Sequence, residues 1–259
     1  MDLEPVRKVD ASLVGGDITV VAHASASRIE AEVLRGPPLT VRTVGGTATI
    51  RHRRRWPLDW IVPFRNSRAS IVVFVPAESS TRVRSVSAEV LVSGTQAGVN
   101  VRNVSGSLTL AGVSGTVVAR NVSGNVDAEG VTGKLLVKSV SGDVTASGVL
   151  DDVRIRAVSG TVTLDLGHAA DVGVKSVSGD VSIRVPAPAD LTVDARTTSG
   201  RFDSAFDLAG SRNGHKRMTG RIGTGSGTGH GTMKVATVSG DFALLRRAED
   251  ADPPEAEAV

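Results

Sequence analysis

Seven basic residues are the first candidates for chemistry. Arg84, Arg102, Arg120, Lys138, Arg156, Lys175 and Arg196 each stand two residues before a Val/Thr-Ser-Gly or Val-Ser-Ala step, 18 to 21 residues apart. If a repeat stacks them, they form a column of like charge, which repels itself unless counter-charges or a polyanion lie beside it. The chemistry is then recognition of an anionic polymer or a phosphate-rich surface. The competing expectation is a column neutralised by Asp127, Glu129, Asp143, Asp151 and Asp180, with the long basic stems covering apolar edges. A second candidate is the segment 51–68, RHRRRWPLDWIVPFRNSR, which sets six Arg against the single Asp59 in a chain of formal net charge +3. It holds both Trp and breaks strand logic with Pro57 and Pro63. Arg53, Arg54, Arg55, Trp56, Trp60 and Phe64 mix cations with aromatics as an interfacial membrane patch or a partner-docking loop does. The same mix suits single-stranded nucleic acid, but the near-balanced total charge gives no reason to expect a specific nucleic-acid partner. A loop of this kind also serves as a cap over the end or side of a repeat.

Templates for catalysis fail one by one. There is no cysteine, so disulfides, thiolate metal sites and a cysteine nucleophile are excluded. The five His (23, 52, 168, 215 and 230) are scattered without ligand spacing. Asp151-Asp152 reads as a turn whose side chains bond the backbone. The glycine-rich run 220–231 is no phosphate loop: the one Gly-Lys pair, Gly133-Lys134, precedes Leu135 rather than Ser or Thr. No enzyme activity, metal site or cofactor is expected.

The elements that must position these residues come from an internal repeat. Val-Ser-Gly or Val-Thr-Gly begins at Val104, Val113, Val122, Val131, Val140, Val158, Val177 and Val238, with a nine-residue spacing from 104 to 158 apart from one missing position. Counting each Val as zero, positions four and six are apolar: Leu108/Leu110, Val117/Ala119, Val126/Ala128, Leu135/Val137, Val144/Ala146, Val153/Ile155 and Val162/Leu164. That is the period of a half-buried strand, with Ser-Gly at the bend. Lines such as RNVSGNV, KSVSGDV and RAVSGTV recur every 18 or 19 residues, so the unit is two nine-residue halves. The expected fold is all-β, a parallel β-solenoid of about 18-residue coils. An antiparallel sandwich of short strands is its competitor. With aromatics at 3% and 29 Gly, each coil needs only Val, Leu, Ile or Ala inside. The zero-position valines are counted with that core, so Val140→Asp is expected to bury an unpaired charge.

The repeated K/R-x-V-S-G-D-V strings, ending in Lys234-Val-Ala-Thr-Val-Ser-Gly-Asp-Phe-Ala-Leu, resemble the bacterial "putative adhesin" family over residues 10–245. The resemblance implies a β-solenoid of unassigned biochemical role with no catalytic residues to carry over.

The expected organisation is a lead-in over 1–10 and one solenoid domain over 11–245. The basic insertion at 51–68 and the glycine-rich segment at 220–231 interrupt that domain, and a disordered acidic tail follows over 246–259. The opening residues have no apolar run of the secretory kind, and no stretch approaches the roughly 20 apolar residues of a membrane span, so the expected place is the cytoplasm or the inner face of its membrane. The leading functional expectation is a non-enzymatic binding or scaffold module whose partner is an anionic envelope surface or a protein. A self-assembling structural solenoid of the bactofilin kind is the alternative, and a polysaccharide-binding or -cleaving β-helix comes third.

Overall fold

The computed structural model describes residues 2–3, 6–22, 27–52, 67–187, 189–214, 216–223 and 230–247, and these are all-β, with no helix. The first strands are β1 (Asp2–Leu3), β2 (Lys8–Ala22), β3 (Ser27–Arg35), β4 (Leu39–Val44), β5 (Thr47–His52) and β6 (Arg68–Val75). The repeat region holds β7 (Ser80–Ser93), β8 (Val99–Ser105), β9 (Leu108–Ala111), β10 (Ser114–Ser123), β11 (Val126–Ser141), β12 (Val144–Ser159), β13 (Val162–Leu166), β14 (Asp171–Ser178) and β15 (Val181–Val185). Then come β16 (Asp190–Ser199), β17 (Phe202–Ser204), β18 (Ala209–Gly214), β19 (Arg217–Ile222), β20 (His230–Ser239) and β21 (Phe242–Arg246).

Alternation makes the strands. In β12, Val153, Ile155 and Ala157 are buried while Arg154, Arg156 and Val158 face out. Each repeat strand pairs in parallel with the segment 18 or 19 residues on. One row of partners runs Val83, Val101, Ala119, Val137, Ile155, Val174, and defines face A. Another runs Val90, Leu108, Val126, Val144, Val162, Val181, and defines face B. The inward residues of both faces belong to one core, almost wholly Val, Leu, Ile and Ala, which explains how so few aromatics suffice. Parallel pairing of like with like throughout this region rules out the antiparallel sandwich.

Both ends of the stack depart from sequence order. β2 lies between β7 and the layer of β5 and β6. β20 and β21 lie between the layer of β14 and β15 and that of β16 and β17. The first long strand and the last two strands thus fill next-to-outermost layers, with an internal segment of the chain outside each. Beyond these layers the pairing turns antiparallel: β4 on β5 and β3 on β6 at one end, β19 on β16 and β18 on β19 at the other. These strands occupy edge groups that an outermost coil would otherwise present for pairing.

Three expected boundaries move. The lead-in over 1–10 already belongs to the fold, because β2 starts at Lys8 and both Val6 and Val9 are buried in the core. The basic insertion is narrower than 51–68, since Arg51 and His52 end β5 and Arg68 begins β6. Likewise β19 and β20 reach into 220–231 from both sides. A larger correction concerns the repeated valines, which are counted with the core in the sequence. Val104, Val122, Val140, Val158, Val177 and Val238 are 45 to 49% exposed.

Candidate functional site

The strand register assembles the basic column. On face A the aligned positions run Ser12, Arg84, Arg102, Arg120, Lys138, Arg156, Lys175, Ala236, Arg196, Arg217. Six of the seven expected cations are therefore consecutive, and Arg196 is set apart from Lys175 by Ala236. The cause is the insertion of β20, which no spacing between 175 and 196 reveals.

The acids expected to neutralise the column are engaged elsewhere. Asp143 Oδ1 accepts a hydrogen bond from the Thr161 N–H at 2.8 Å, and Asp180 Oδ1 accepts one from the Asp241 N–H at 2.8 Å. They tie one bend to the next in the stack. Asp127 and Glu129 lie on face B, where burial, then Glu129 and Asp143, push the Asp127 carboxyl above the ordinary carboxylate range. Asp151 lies 3.5 Å from His168. Among the described residues only the ends of the column have acid partners: Arg84 meets Asp10 at 3.5 Å, and Arg196 meets Asp194 at 2.9 Å. Among the described residues, no acid lies within 4.0 Å of Arg102, Arg120, Lys138, Arg156 or Lys175.

Beside the cations runs the column of half-exposed valines, two residues further along each strand. The intervening residue points inward and is polar in most layers: Ser85, Asn103, Asn121, Ser139 and Ser176 are buried. Asn103 Nδ2 donates to the carbonyls of Ala88 (3.1 Å) and Gly106 (2.9 Å), and Asn121 Nδ2 donates to Gly124 O at 2.7 Å. In the two asparagine layers this inward residue satisfies the corner's backbone, and in every layer an inward residue there leaves the next side chain, the valine, pointing out.

Arg53, Arg54, Arg55, Trp56, Trp60 and Phe64 lie outside the described residues. The strands that flank them are placed: Arg51 pairs with Ser12 in the basic column, and Ala69 at the start of β6 pairs with Gly16 just past the same corner. The insertion thus leaves and rejoins the stack at the edge that carries the cations and valines. Residues that the spacing argument missed also share this face. Arg154 and Lys234 occupy the neighbouring outward column, and a shallow groove of about 770 Å³ runs over them beside Lys138, Arg156, Lys175 and Arg196. Their signal was present as a basic residue two positions before the ladder, but only in some layers.

A helix-free stack of parallel strands, with one basic outer column, defines the class: an all-β repeat protein. A family model described as Toastrack DUF4097 matches residues 15–245. The chain belongs to that family. Among solved structures it is similar to a putative cell adhesion protein from Clostridium sporogenes, at 10% identity and a TM-score of 0.35, covering 95% of this chain and 97% of that one. It is also similar to a putative lipid binding protein from Parabacteroides distasonis, at 11% identity and a TM-score of 0.45, covering 95% of each chain. No curated protein matches the sequence. Among the described residues no helix is long and apolar enough to cross a membrane.

Proposed function

We propose that this protein is a non-enzymatic binding module, a parallel β-solenoid of two-strand coils whose basic face docks on an anionic membrane surface. The observation that carries this reading is the run Arg102, Arg120, Lys138, Arg156, Lys175: five cations in consecutive layers with no acid within 4.0 Å among the described residues. Two like charges about 5 Å apart in water repel by about 0.8 kcal/mol. A plane of negative charge turns that standing repulsion into attraction, at about 1 kcal/mol per Lys or Arg. The adjacent valines supply shallow apolar contact, the combination that interfacial proteins use. Face B, with Asp127 and Glu129, is repelled by the same surface, so the module has one docking orientation. The strands that flank the Arg/Trp segment pair with β2 at the docking edge. The working place is the inner face of the cytoplasmic membrane.

The test is co-sedimentation with vesicles of phosphatidylglycerol and phosphatidylcholine against phosphatidylcholine alone. Binding is expected only to the anionic vesicles and falls with added salt. Replacing Arg120, Lys138 and Arg156 together by Gln should lower partitioning about a hundredfold while circular dichroism stays unchanged. Equal binding by the folded variant overturns the proposal.

A further inference from the structure

The basic column is broken at one point, and the break has a shape. Layer by layer, two adjacent outward columns of face A read Arg154 and Arg156 on β12, Gly173 and Lys175 on β14, Lys234 and Ala236 on β20, and Asp194 and Arg196 on β16. Gly173 and Ala236, bare of any long side chain of their own, are two squares of a checkerboard whose other diagonal is Lys175 and Lys234, and the Arg154 guanidinium folds over the Gly173 square. Both residues line the groove of about 770 Å³. With layers about 4.8 Å apart and alternate residues about 6.6 Å apart, their squares lie about 8 Å from each other.

The charge around them is one-sided. Among the described residues, Asp194 is the only acid lining the groove. Arg196 holds it through Nε and Nη2 at 3.2 and 2.9 Å, and Arg217 holds it through the same two nitrogens at 3.1 and 3.2 Å. The hydrogen bond from Arg196 comes first and that from Arg217 supports it; together they keep the Asp194 carboxyl below its ordinary range. Its charge is thus more than neutralised before any ligand arrives. Arg154 is steadied by Asp152 at 3.0 Å, and its guanidinium lies beside Gly173, where an added Cβ would come within 2.9 Å of Nη1. Lys175 and Lys234 are exposed and, among the described residues, have no acid within 4.0 Å.

We propose that this break is a seat for a ligand with two linked phosphate groups, one on the Arg154 guanidinium where it lies over Gly173, beside Lys175 and Lys234, the other over Ala236 between Lys175 and Arg196. Forked guanidiniums and mobile ammonium groups are what phosphate oxygens need; glycine at 173 leaves room for the Arg154 guanidinium to lie flat there, and a long side chain at Ala236 would occupy the second phosphate's place. The inference rests on the reading of face A as an anion-binding surface and sharpens it from a charge pattern to a site.

The test is calorimetric titration of the full chain with linear tetrapolyphosphate, for wild type and Ala236→Lys. The substitution continues the basic column, whose six aligned Lys and Arg show that the fold accepts it. A surface that acts by charge alone binds the polyanion more tightly with the added cation. A seat with a filled floor binds it about tenfold more weakly. Ala236→Leu fills the same square without charge and should weaken binding as well. Unchanged or tighter binding in Ala236→Lys, or no binding of tetrapolyphosphate by wild type, overturns the seat. Vesicles of cardiolipin, whose headgroup carries two glycerol-linked phosphates, are compared with phosphatidylglycerol at equal surface charge. A preference for cardiolipin that Ala236→Lys abolishes assigns the seat to a lipid headgroup; equal vesicle binding with a weakened polyphosphate titration assigns it to a free polyphosphate. If Ala236→Lys tightens both vesicle and polyphosphate binding, the seat fails and the docking face stands. If wild type ignores anionic vesicles yet loses tetrapolyphosphate on Ala236→Lys, the docking face fails and the seat stands.

Discussion

The same tripeptide turns both corners of a coil, yet the two corners face opposite ways. At the A-to-B corner, Val104, Val122, Val140, Val158 and Val177 are 45 to 49% exposed, whereas at the B-to-A corner Val113 and Val131 are wholly buried. The residue before the valine decides. Asn103, Asn121 and Ser139 precede exposed valines and take the inward place themselves. Gly112 and Gly130 precede buried ones, with φ of 59° and 62°. A left-handed residue shifts the in-out alternation by one, so the valine swings into the core. Where the sequence reads Gly148-Val149-Leu150, the register with the neighbouring layer slips and Leu150 takes the inward place instead. The bend is encoded by Val-Ser-Gly; its sense is encoded one residue earlier.

The largest expected effect tests that difference directly. Val131→Asp places an unpaired carboxylate in a fully buried position and should lower stability by about 3–5 kcal/mol, read from urea denaturation by circular dichroism. If it costs no more than an Asp at Val140, the two corners are equivalent and the comparison collapses.

The glycine after an outward valine and the glycine before an inward one also differ in kind. At Gly142 φ is 119°, and an added Cβ would lie 2.2 Å from the carbonyl oxygen of Gly124 in the layer beneath. Layers meet here backbone to backbone, and no relaxation of a side chain can help. Gly142→Ala should therefore cost about 2–4 kcal/mol in the same denaturation assay. Gly130 needs only its left-handed φ of 62°, since its nearest neighbour would be 3.7 Å from a Cβ. Gly130→Ala should cost about 1–2 kcal/mol, the strain of placing an L-residue there. Equal losses in the two variants would mean that close approach between layers contributes nothing at the A-to-B corner.

Much of this was legible in the residues. The apolar pair at positions four and six, the 18-residue period and the parallel register follow from alternation and repetition alone, and β8 to β15 realise them. The column from Arg84 to Lys175 follows from the same count. What the repeat could not show is any event between distant segments. The 61-residue offset that brings Val174 to Val235 inserts β20, breaks the column at Ala236 and creates the groove floor. A periodic pattern constrains neighbours one period apart, and it is silent about a strand that returns from much further along. The outward turn of Val140 has a different cause. Ser139 takes the inward place at the corner, and that shifts the next residue out.

The smallest expected effect on stability is also the most informative about the surface. Val140 is 47% exposed, so Val140→Asp leaves its charge in water and should change stability by no more than about 0.5 kcal/mol. It nevertheless places a carboxylate two residues from Lys138, in the middle of the run that has no acid partner among the described residues. That carboxylate both neutralises a ladder cation locally and removes an apolar contact from the valine column. Partitioning onto phosphatidylglycerol vesicles should fall roughly tenfold, given about 1 kcal/mol for one cation at an anionic surface and less for one valine. A variant that keeps its denaturation midpoint and its vesicle binding would show that the outward corner is only a way of turning the chain. A variant that keeps the midpoint and loses binding shows that turning the valines out builds the docking edge.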